Sequence, residues 1–136
     1  MQITRKIQNI LLLINITLAI LWFYQGLVPK ILYHAIEEQK FWEYMGVDEI
    51  SMLFLIQISG YIEILYGIVF LVFGKFKILH FLNIFGLIGL AITVAIIYPQ
   101  YFTSGFNPFT MNLSMAVLSV VAIQLINIQK NEDITS

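Results

Sequence analysis

The segment Met52–Phe73, MLFLIQISGYIEILYGIVFLVF, decides the class of fold. Its only charged residue is Glu63, and it is apolar on every side. A helix needs about 20 mostly apolar residues to cross the hydrocarbon of a bilayer. A strand of a membrane barrel would instead alternate apolar and polar residues. The segment therefore predicts a transmembrane helix.

Three further segments of the same kind predict three more spanning helices. The predicted spans are about 7–28, 52–73, 78–98 and 109–128, all within one transmembrane domain that covers 1–136. Only Gly74–Lys77 separates the second span from the third, so these two are antiparallel neighbours. The first span follows Arg5 and Lys6, but it is longer than the apolar region of a signal peptide, and we expect a retained anchor. The predicted fold is an all-α, transmembrane four-helix bundle.

Composition excludes the main soluble classes. Apolar residues make up 60% of the chain and charged residues 11%, against about 45–50% and about 25% in soluble domains. The net charge of −1 lacks the basic surface that nucleic-acid binding requires. Without cysteine the chain forms no disulfide and no thiolate metal site. The lipid bilayer is therefore the expected partner, and nucleic acid is not.

The basic residues predict an orientation, because Lys and Arg collect on the cytoplasmic side of a membrane. One side of the predicted bundle carries five of them: Arg5, Lys6, Lys75, Lys77 and Lys130. The other side carries Lys30 and Lys40 among five acidic residues. We expect a multi-pass protein of the cell (cytoplasmic) membrane with both termini in the cytoplasm. Phe41 and Trp42, which lie among those acids, predict a short interfacial helix between the first two spans.

Small and polar residues mark one face of each predicted span. Gly60, Gly67 and Gly74 recur every seven residues, and Glu63 lies on the same face. The other three faces carry Asn15, Ala19, Trp22 and Gly26; Asn83, Gly86 and Thr93; and Asn112, Ala116 and Ser119. Small residues allow helices to approach closely, and polar ones form hydrogen bonds between helices. These faces are therefore expected to meet inside the bundle.

The depth of the polar residues adds a second prediction. Glu63 falls near the middle of its span, while five polar residues fall in the outer halves: Gln25, Gln57, Thr93, Asn112 and Ser114. This distribution predicts a polar pocket that faces outward, with Glu63 at its floor. A buried carboxyl group either pairs with a cation or keeps its proton. Lys30 is the nearest cation along the chain, but a direct ion pair would need a tilted helix, an inward-reaching lysine or a bridging water. The alternative is that Glu63 only holds the helices together through hydrogen bonds.

Three segments resemble the DoxX-like membrane proteins. Trp22–Lys30, WFYQGLVPK, is similar to their G-x-x-P-K signature, and Gly60–Gly67, GYIEILYG, to their G-x-x-E-x-x-x-G segment. Phe106–Leu113, FNPFTMNL, resembles their N-P-x-x-x-N-L start of the fourth span, where Asn107 is the expected N-cap. The resemblance implies a four-span fold. It also implies six signature positions: Gly26, Pro29, Lys30, Glu63, Asn107 and Asn112. Together with the residues chosen by depth and by the glycine repeat, the candidate signature or pocket residues are Gln25, Gly26, Pro29, Lys30, Gln57, Gly60, Glu63, Gly67, Thr93, Asn107, Asn112 and Ser114.

What the resemblance implies about activity is broad. The founding DoxX protein belongs to a membrane complex that oxidises thiosulfate and passes electrons to quinone, and distant relatives assist membrane-protein assembly. The sequence contains no recognisable catalytic motif, predicts no metal site and supplies no cofactor of its own. The leading hypothesis is an accessory subunit that binds a lipid-like or quinone-like molecule, with a membrane-protein partner or as a homo-oligomer. Two alternatives are a membrane enzyme for quinone-linked redox or isomerase-type proton transfer through Glu63, and a proton-coupled small transporter or channel.

Overall fold

A computed structural model describes residues 2–103, 105 and 107–135 of the chain. Phe106, which belongs to the third segment quoted above, lies outside the described residues. The structure is 90% helix, and the described residues form no β-strand. Four of its helices are long and apolar enough to cross a membrane, over Arg5–Leu32, Glu49–Phe73, Lys77–Ile97 and Phe109–Glu132. The predicted fold class is confirmed, while the orientation of the termini stays a prediction.

The five α-helices follow one another with short connections. They are α1 (Gln2–Gly26), α2 (Ile36–Tyr44), α3 (Glu49–Phe73), α4 (Lys77–Ile97) and α5 (Pro108–Thr135). A π-helical segment, Leu27–Leu32, continues α1, and a 3₁₀ turn, Pro99–Thr103, follows α4. We call the end of the bundle that carries α2 and the 3₁₀ turn the α2 end, and the opposite end the terminal end.

The π-helical segment has a local cause in Pro29. Proline has no amide hydrogen, and its ring crowds the carbonyl one turn earlier, so it disturbs a regular α-helix. Here the helix widens, and the amide of Tyr33 donates to the carbonyl of Val28 five residues earlier, at 3.1 Å. The first spanning helix therefore extends past the predicted boundary at Val28 and carries Lys30 within its last turn.

Capping residues begin α3 and α5 where the sequence changes from polar to apolar. The Asp48 side chain accepts a hydrogen bond from the Ser51 amide at 3.0 Å, and this bond lowers the pKa of the Asp48 carboxyl group. Asn107 accepts from the Thr110 amide at 3.4 Å, which confirms it as the N-cap of α5. Gly46, at φ +77°, takes the left-handed conformation that lets the chain turn between α2 and α3.

The core forms where α1 packs between α3 and α5, with α4 against α5. A Cβ atom on Gly67 would lie 2.8 Å from the carbonyl oxygen of Ala19, so α1 and α3 touch backbone to backbone. Trp22 packs edge-on against Tyr66, with ring centroids 5.1 Å apart. Phe70, Leu18 and Met115 are fully buried around this contact.

A chain of buried polar groups joins three helices in the half nearer the terminal end. Trp22 donates its indole N–H to Asn83 Oδ1 at 2.9 Å, and Asn83 Nδ2 donates to Ser119 Oγ at 2.8 Å. Both ring nitrogens of His80 have partners, with Nδ1 3.3 Å from Ser119 Oγ and Nε2 2.8 Å from the Gly74 carbonyl. Unpartnered polar groups are costly in an apolar interior, so this network fixes how α1, α4 and α5 fit together.

Helices α1 and α5 extend beyond the turn between α3 and α4. A Cβ atom on Gly74, at the end of α3, would meet the side chain of Asn15, which is more than three turns into α1. Lys77, at the start of α4, contacts Asn127 of α5. At about 1.5 Å per residue, the part of α1 before Asn15 continues for about 20 Å past this level. Among the described residues, the terminal end is therefore built by α1 and α5.

Candidate functional site

The centre of the site is an ion pair between the first and second spans. Lys30 Nζ lies 2.6 Å from Glu63 Oε1, and the two side chains are only 12% and 14% exposed. The pair is direct, so neither a bridging water nor a large tilt is required. The π-helical segment carries Lys30 at the end of α1, and Glu63 lies near the middle of α3.

Glycines set the separation between these two helices. A Cβ atom on Gly60 would lie 2.7 Å from the carbonyl oxygen of Gly26 and 3.1 Å from Lys30 Cβ. A Cβ atom on Gly26 would in turn overlap the Gly60 carbonyl and lie 3.1 Å from Glu63 Cβ. With no side chain on either glycine, the helices approach until the charged groups of Lys30 and Glu63 meet.

One oxygen of the Glu63 carboxylate has no hydrogen-bond partner in the described part of the chain. Oε1 accepts from Lys30, whereas Oε2 is buried and unpartnered among the described residues. A second carboxylate, Glu38 of α2, places Oε2 3.7 Å from Lys30 Nζ. This distance is within ion-pair range but longer than a hydrogen bond. The cluster thus holds one lysine and two acids.

A pair of amides lies in the same region, between α1 and α5. Gln25 Nε2 donates to Asn112 Oδ1 at 2.7 Å, and both side chains are buried. This bond uses one N–H of Gln25 and leaves the carbonyl oxygen of Gln25 and the side-chain N–H groups of Asn112 as groups that can bind a ligand. The amide pair is neutral, so it adds hydrogen-bonding capacity to the site without adding charge.

These groups line a cavity of about 340 Å³ at the α2 end. Six of the predicted site residues line it: Gln25, Pro29, Lys30, Glu63, Asn107 and Asn112. Six aromatic residues that the sequence did not single out for the pocket also line it: Tyr24, Phe41, Trp42, Tyr101, Phe102 and Phe109. The cavity therefore has a largely apolar, aromatic wall with a few polar groups, the usual composition of a small-molecule site.

Helix α2 covers one side of the cavity. Its Phe41 and Trp42 belong to the wall, and its Glu37 accepts a hydrogen bond from the Tyr98 hydroxyl at 3.1 Å. Tyr44 stacks on Tyr98, with ring centroids 5.0 Å apart. The segment predicted as an interfacial helix thus forms part of the site. Its position relative to a membrane surface stays a prediction.

Tyr101, in the 3₁₀ turn, contributes a neutral hydroxyl group to the wall. Burial raises the pKa of Tyr101 well above its usual value, and the nearby Glu38 and Glu37 raise it further. The hydroxyl group therefore stays protonated at physiological pH, and it can donate as well as accept a hydrogen bond.

Three of the predicted pocket residues, Gln57, Thr93 and Ser114, lie outside the cavity wall. Thr93 and Ser114 are exposed on the outside of the bundle, where their hydroxyls donate to the Gly89 and Thr110 carbonyls of their own helices at 2.8 and 3.0 Å. A hydroxyl that bonds to its own helix four residues back needs no pocket. Gln57 is also exposed, with Nε2 3.2 Å from His34 Nε2.

The small and polar faces predicted on the first, second and fourth spans are buried or partly buried, whereas the face predicted on the third span is mostly exposed. Gly26, Gly60 and Gly67 lie in the contact between α1 and α3 rather than in the cavity wall. Gly86 is exposed, and a Cβ atom there would meet nothing within 4 Å. Of the face predicted on the third span, only Asn83 points inward.

The charged residues of the site form an ion-pair cluster. The described residues hold no group of three or more histidine, cysteine or acidic side chains placed to bind one ion. What the arrangement offers is an ion pair, an unpartnered carboxylate oxygen, two amides and a tyrosine hydroxyl beside apolar rings.

The family model described as the DoxX-like family matches residues 19–120, or 102 of the 136 residues. The chain belongs to the DoxX-like family. The DoxX-like match spans Trp22–Lys30, Gly60–Gly67 and Phe106–Leu113, and so includes all three segments that suggested the resemblance. No curated protein and no solved structure matches the chain significantly.

Proposed function

We propose that this DoxX-like protein is a membrane accessory or partner subunit whose cavity binds a lipid-like or quinone-like small molecule. The observation that carries the proposal is the cavity itself, in which apolar rings surround the Lys30–Glu63 pair. A cavity whose polar groups are few and clustered suits an amphiphile with one polar end. Its volume of about 340 Å³ suits a compact ring or head group better than a whole two-chain lipid.

A matched pair of substitutions tests this proposal. Ala91 lines the cavity, whereas Ala95, one turn later on α4, is exposed. We expect Ala91→Phe to fill the cavity and Ala95→Phe to leave it open. Each protein is purified in mild detergent, and its bound small molecules are extracted and identified by mass spectrometry. Wild type and Ala95→Phe should carry the same molecule in near-stoichiometric amount, and Ala91→Phe should have lost it. An empty wild type, or equal loading of both variants, would overturn the proposal.

The positions of the charges support an outward-facing site with both termini in the cytoplasm. Four spanning helices put the two termini on the same side, and the five basic residues counted above favour the cytoplasmic side. A reporter that is active only in the cytoplasm, fused in turn to each terminus, tests this orientation. Activity at both termini is the expected result, and inactivity at both would invert the topology.

A membrane enzyme is the second candidate, and one observation favours it. Glu63 lines the cavity and its Oε2 has no partner among the described residues, so the carboxylate could exchange a proton with a bound ligand, as quinone-linked redox or an isomerase reaction requires. Glu63→Gln would then abolish turnover while leaving ligand binding intact. Proton-coupled transport or a channel stays a hypothesis that uptake into reconstituted vesicles would test. Its support is weaker, because Lys30 holds the carboxylate that would have to load and release the proton.

A further inference from the structure

The unpartnered oxygen of Glu63 restricts the chemistry of the ligand. An ionised carboxylate accepts hydrogen bonds and donates none, and a buried acceptor that is left unsatisfied is destabilising. Glu63 Oε1 is already satisfied by Lys30 at 2.6 Å, whereas Oε2 has no partner among the described residues. The group that completes this site must therefore bring a hydrogen-bond donor.

The charges around the cavity disfavour a ligand that is itself charged. An anionic ligand, such as a phosphate or a carboxylate, would meet repulsion from Glu63 and Glu38. A cationic ligand beside Glu63 Oε2 would lie close to the Lys30 ammonium, which pairs with both Glu63 and Glu38. In an interior of low dielectric constant such repulsions are poorly screened. A neutral donor, such as a hydroxyl group, avoids both.

The walls indicate what carries that hydroxyl. Phe41 and Trp42 of α2, together with Phe102, Phe109 and Tyr101, line the cavity with aromatic surface. Aromatic rings pack well edge-on or offset against one another. A volume of about 340 Å³ is near the lower end of the range for ligand sites, about 300–1,000 Å³. A single ring with an apolar tail therefore suits the space.

We propose that the cavity selects neutral amphiphiles with a hydroxyl group on a ring, and that this hydroxyl donates to Glu63 Oε2. The inference rests on the proposed ligand-binding function and deepens it by naming the ligand class. The proposed preference distinguishes ligands that share a ring but differ in whether that ring carries a hydroxyl group. A hydroquinone or phenol can donate to Glu63, whereas the corresponding quinone or methyl ether can only accept.

The test uses a matched pair of probes with purified wild-type protein. 4-Hexylphenol and its methyl ether, 4-hexylanisole, share the ring and the tail and differ in the donor. Binding is followed by the fluorescence of Trp42 in the cavity wall, with Trp42→Phe as the control for the origin of the signal. Because a hydrogen bond to a charged group is involved, we expect the phenol to bind on the order of 10- to 100-fold more tightly than the ether.

A pair of variants assigns the preference to Glu63. Glu63→Gln replaces the second acceptor with a donor-bearing amide, so the preference for the phenol should disappear or invert. Glu49→Gln makes the same change at an exposed position in the first turn of α3 and should keep the preference. If Glu63→Gln does not fold, the wild-type comparison still decides the question.

The possible outcomes separate this inference from the proposed function. Equal affinity of the wild type for both probes overturns the hydroxyl preference and leaves a ligand-binding cavity standing. The same preference in Glu63→Gln and in wild type also overturns it, because another group would then be the acceptor. Failure of both probes to bind overturns the ligand class, while the comparison of Ala91→Phe with Ala95→Phe independently decides whether the cavity binds anything.

Discussion

The contact between α1 and α3 at Gly60 gives the sharpest test of the structure. In Gly60→Ala the new methyl group would lie 2.7 Å from the Gly26 carbonyl oxygen, 3.0 Å from Ile31 Cγ1 and 3.1 Å from Lys30 Cβ. The first of these neighbours is backbone and cannot rotate away. The two helices must therefore move apart, and the movement acts directly on the segment that carries Lys30.

The expected change in the unfolding free energy of Gly60→Ala follows from two opposing effects. Inserting a methyl group into a well-packed contact costs about 1–3 kcal/mol. Alanine is more favourable than glycine inside a helix by about 1 kcal/mol, which offsets part of that cost. We expect a net loss of unfolding free energy of about 1 kcal/mol and at most about 2 kcal/mol. Gly86→Ala should gain up to about 1 kcal/mol, because a Cβ atom there meets nothing within 4 Å.

The measurement is equilibrium unfolding of both purified variants in mixed micelles, at increasing mole fractions of sodium dodecyl sulfate. The difference between the two variants should be about 2 kcal/mol, with Gly60→Ala the less stable. Gly60→Ala should also weaken ligand retention, because the Lys30–Glu63 distance depends on this contact. Equal stability changes for Gly60→Ala and Gly86→Ala would refute the close approach of the two helices.

Three further predictions concern polar groups. Lys30→Met should lower the unfolding free energy by about 3 kcal/mol, because it leaves a buried carboxylate unpaired, and adding Glu63→Gln should restore most of the loss. A double-mutant cycle in micelles measures the coupling between the two substitutions, and additive effects would contradict the prediction. Trp22→Phe removes the donor to a buried amide and should cost about 1–3 kcal/mol, whereas Trp42→Phe in the cavity wall should cost less in the same assay. The lowered pKa of Asp48 means that its cap stabilises α3 above the usual aspartate pKa of 3.8 and that this stabilisation is lost as the pH falls through the lower folded-state value. The protection of the first amides of α3 against exchange, relative to their intrinsic rate at each pH, should fall in acid for wild type, and an equal fall in Asp48→Asn would show that the cap is not the cause.

Much of the fold could be predicted because a membrane imposes simple rules. Long apolar runs must be helices, since the bilayer core leaves no other way to satisfy the backbone. Small residues such as Gly60 and Gly67 indicate close contacts between helices, because two helix backbones can approach closely only where the side chains between them are small. Glu63 stood out because one charge in so apolar a segment is costly unless it has a partner.

The details of the site were harder to predict, for identifiable physical reasons. The direct contact of Lys30 with Glu63 depends on the widened helix around Pro29, and an ideal α-helix gives a different direction for every side chain after Leu27. Thr93 looked like a pocket residue, but its hydroxyl bonds to its own helix, so its polarity carries no information about which face is buried. Four of the six aromatic wall residues come from α2 and the 3₁₀ turn, which tertiary contacts bring to the cavity and which sequence periodicity does not record.

The extension of α1 and α5 past the turn between α3 and α4 has a consequence for the surrounding lipid. On α1, Arg5 lies about 15 Å nearer the terminal end than Asn15, the residue that a Cβ atom on Gly74 would meet. The basic residues at the terminal end therefore fall in two layers, with Lys75 and Lys77 set back from Arg5. Beyond the polar Gln8 and Asn9, the intervening surface of α1 is apolar and exposed at Ile10, Leu12 and Leu13. A flat leaflet that reaches Arg5 would immerse both turn lysines, so hydrophobic mismatch should tilt the protein or thin the leaflet beside the turn.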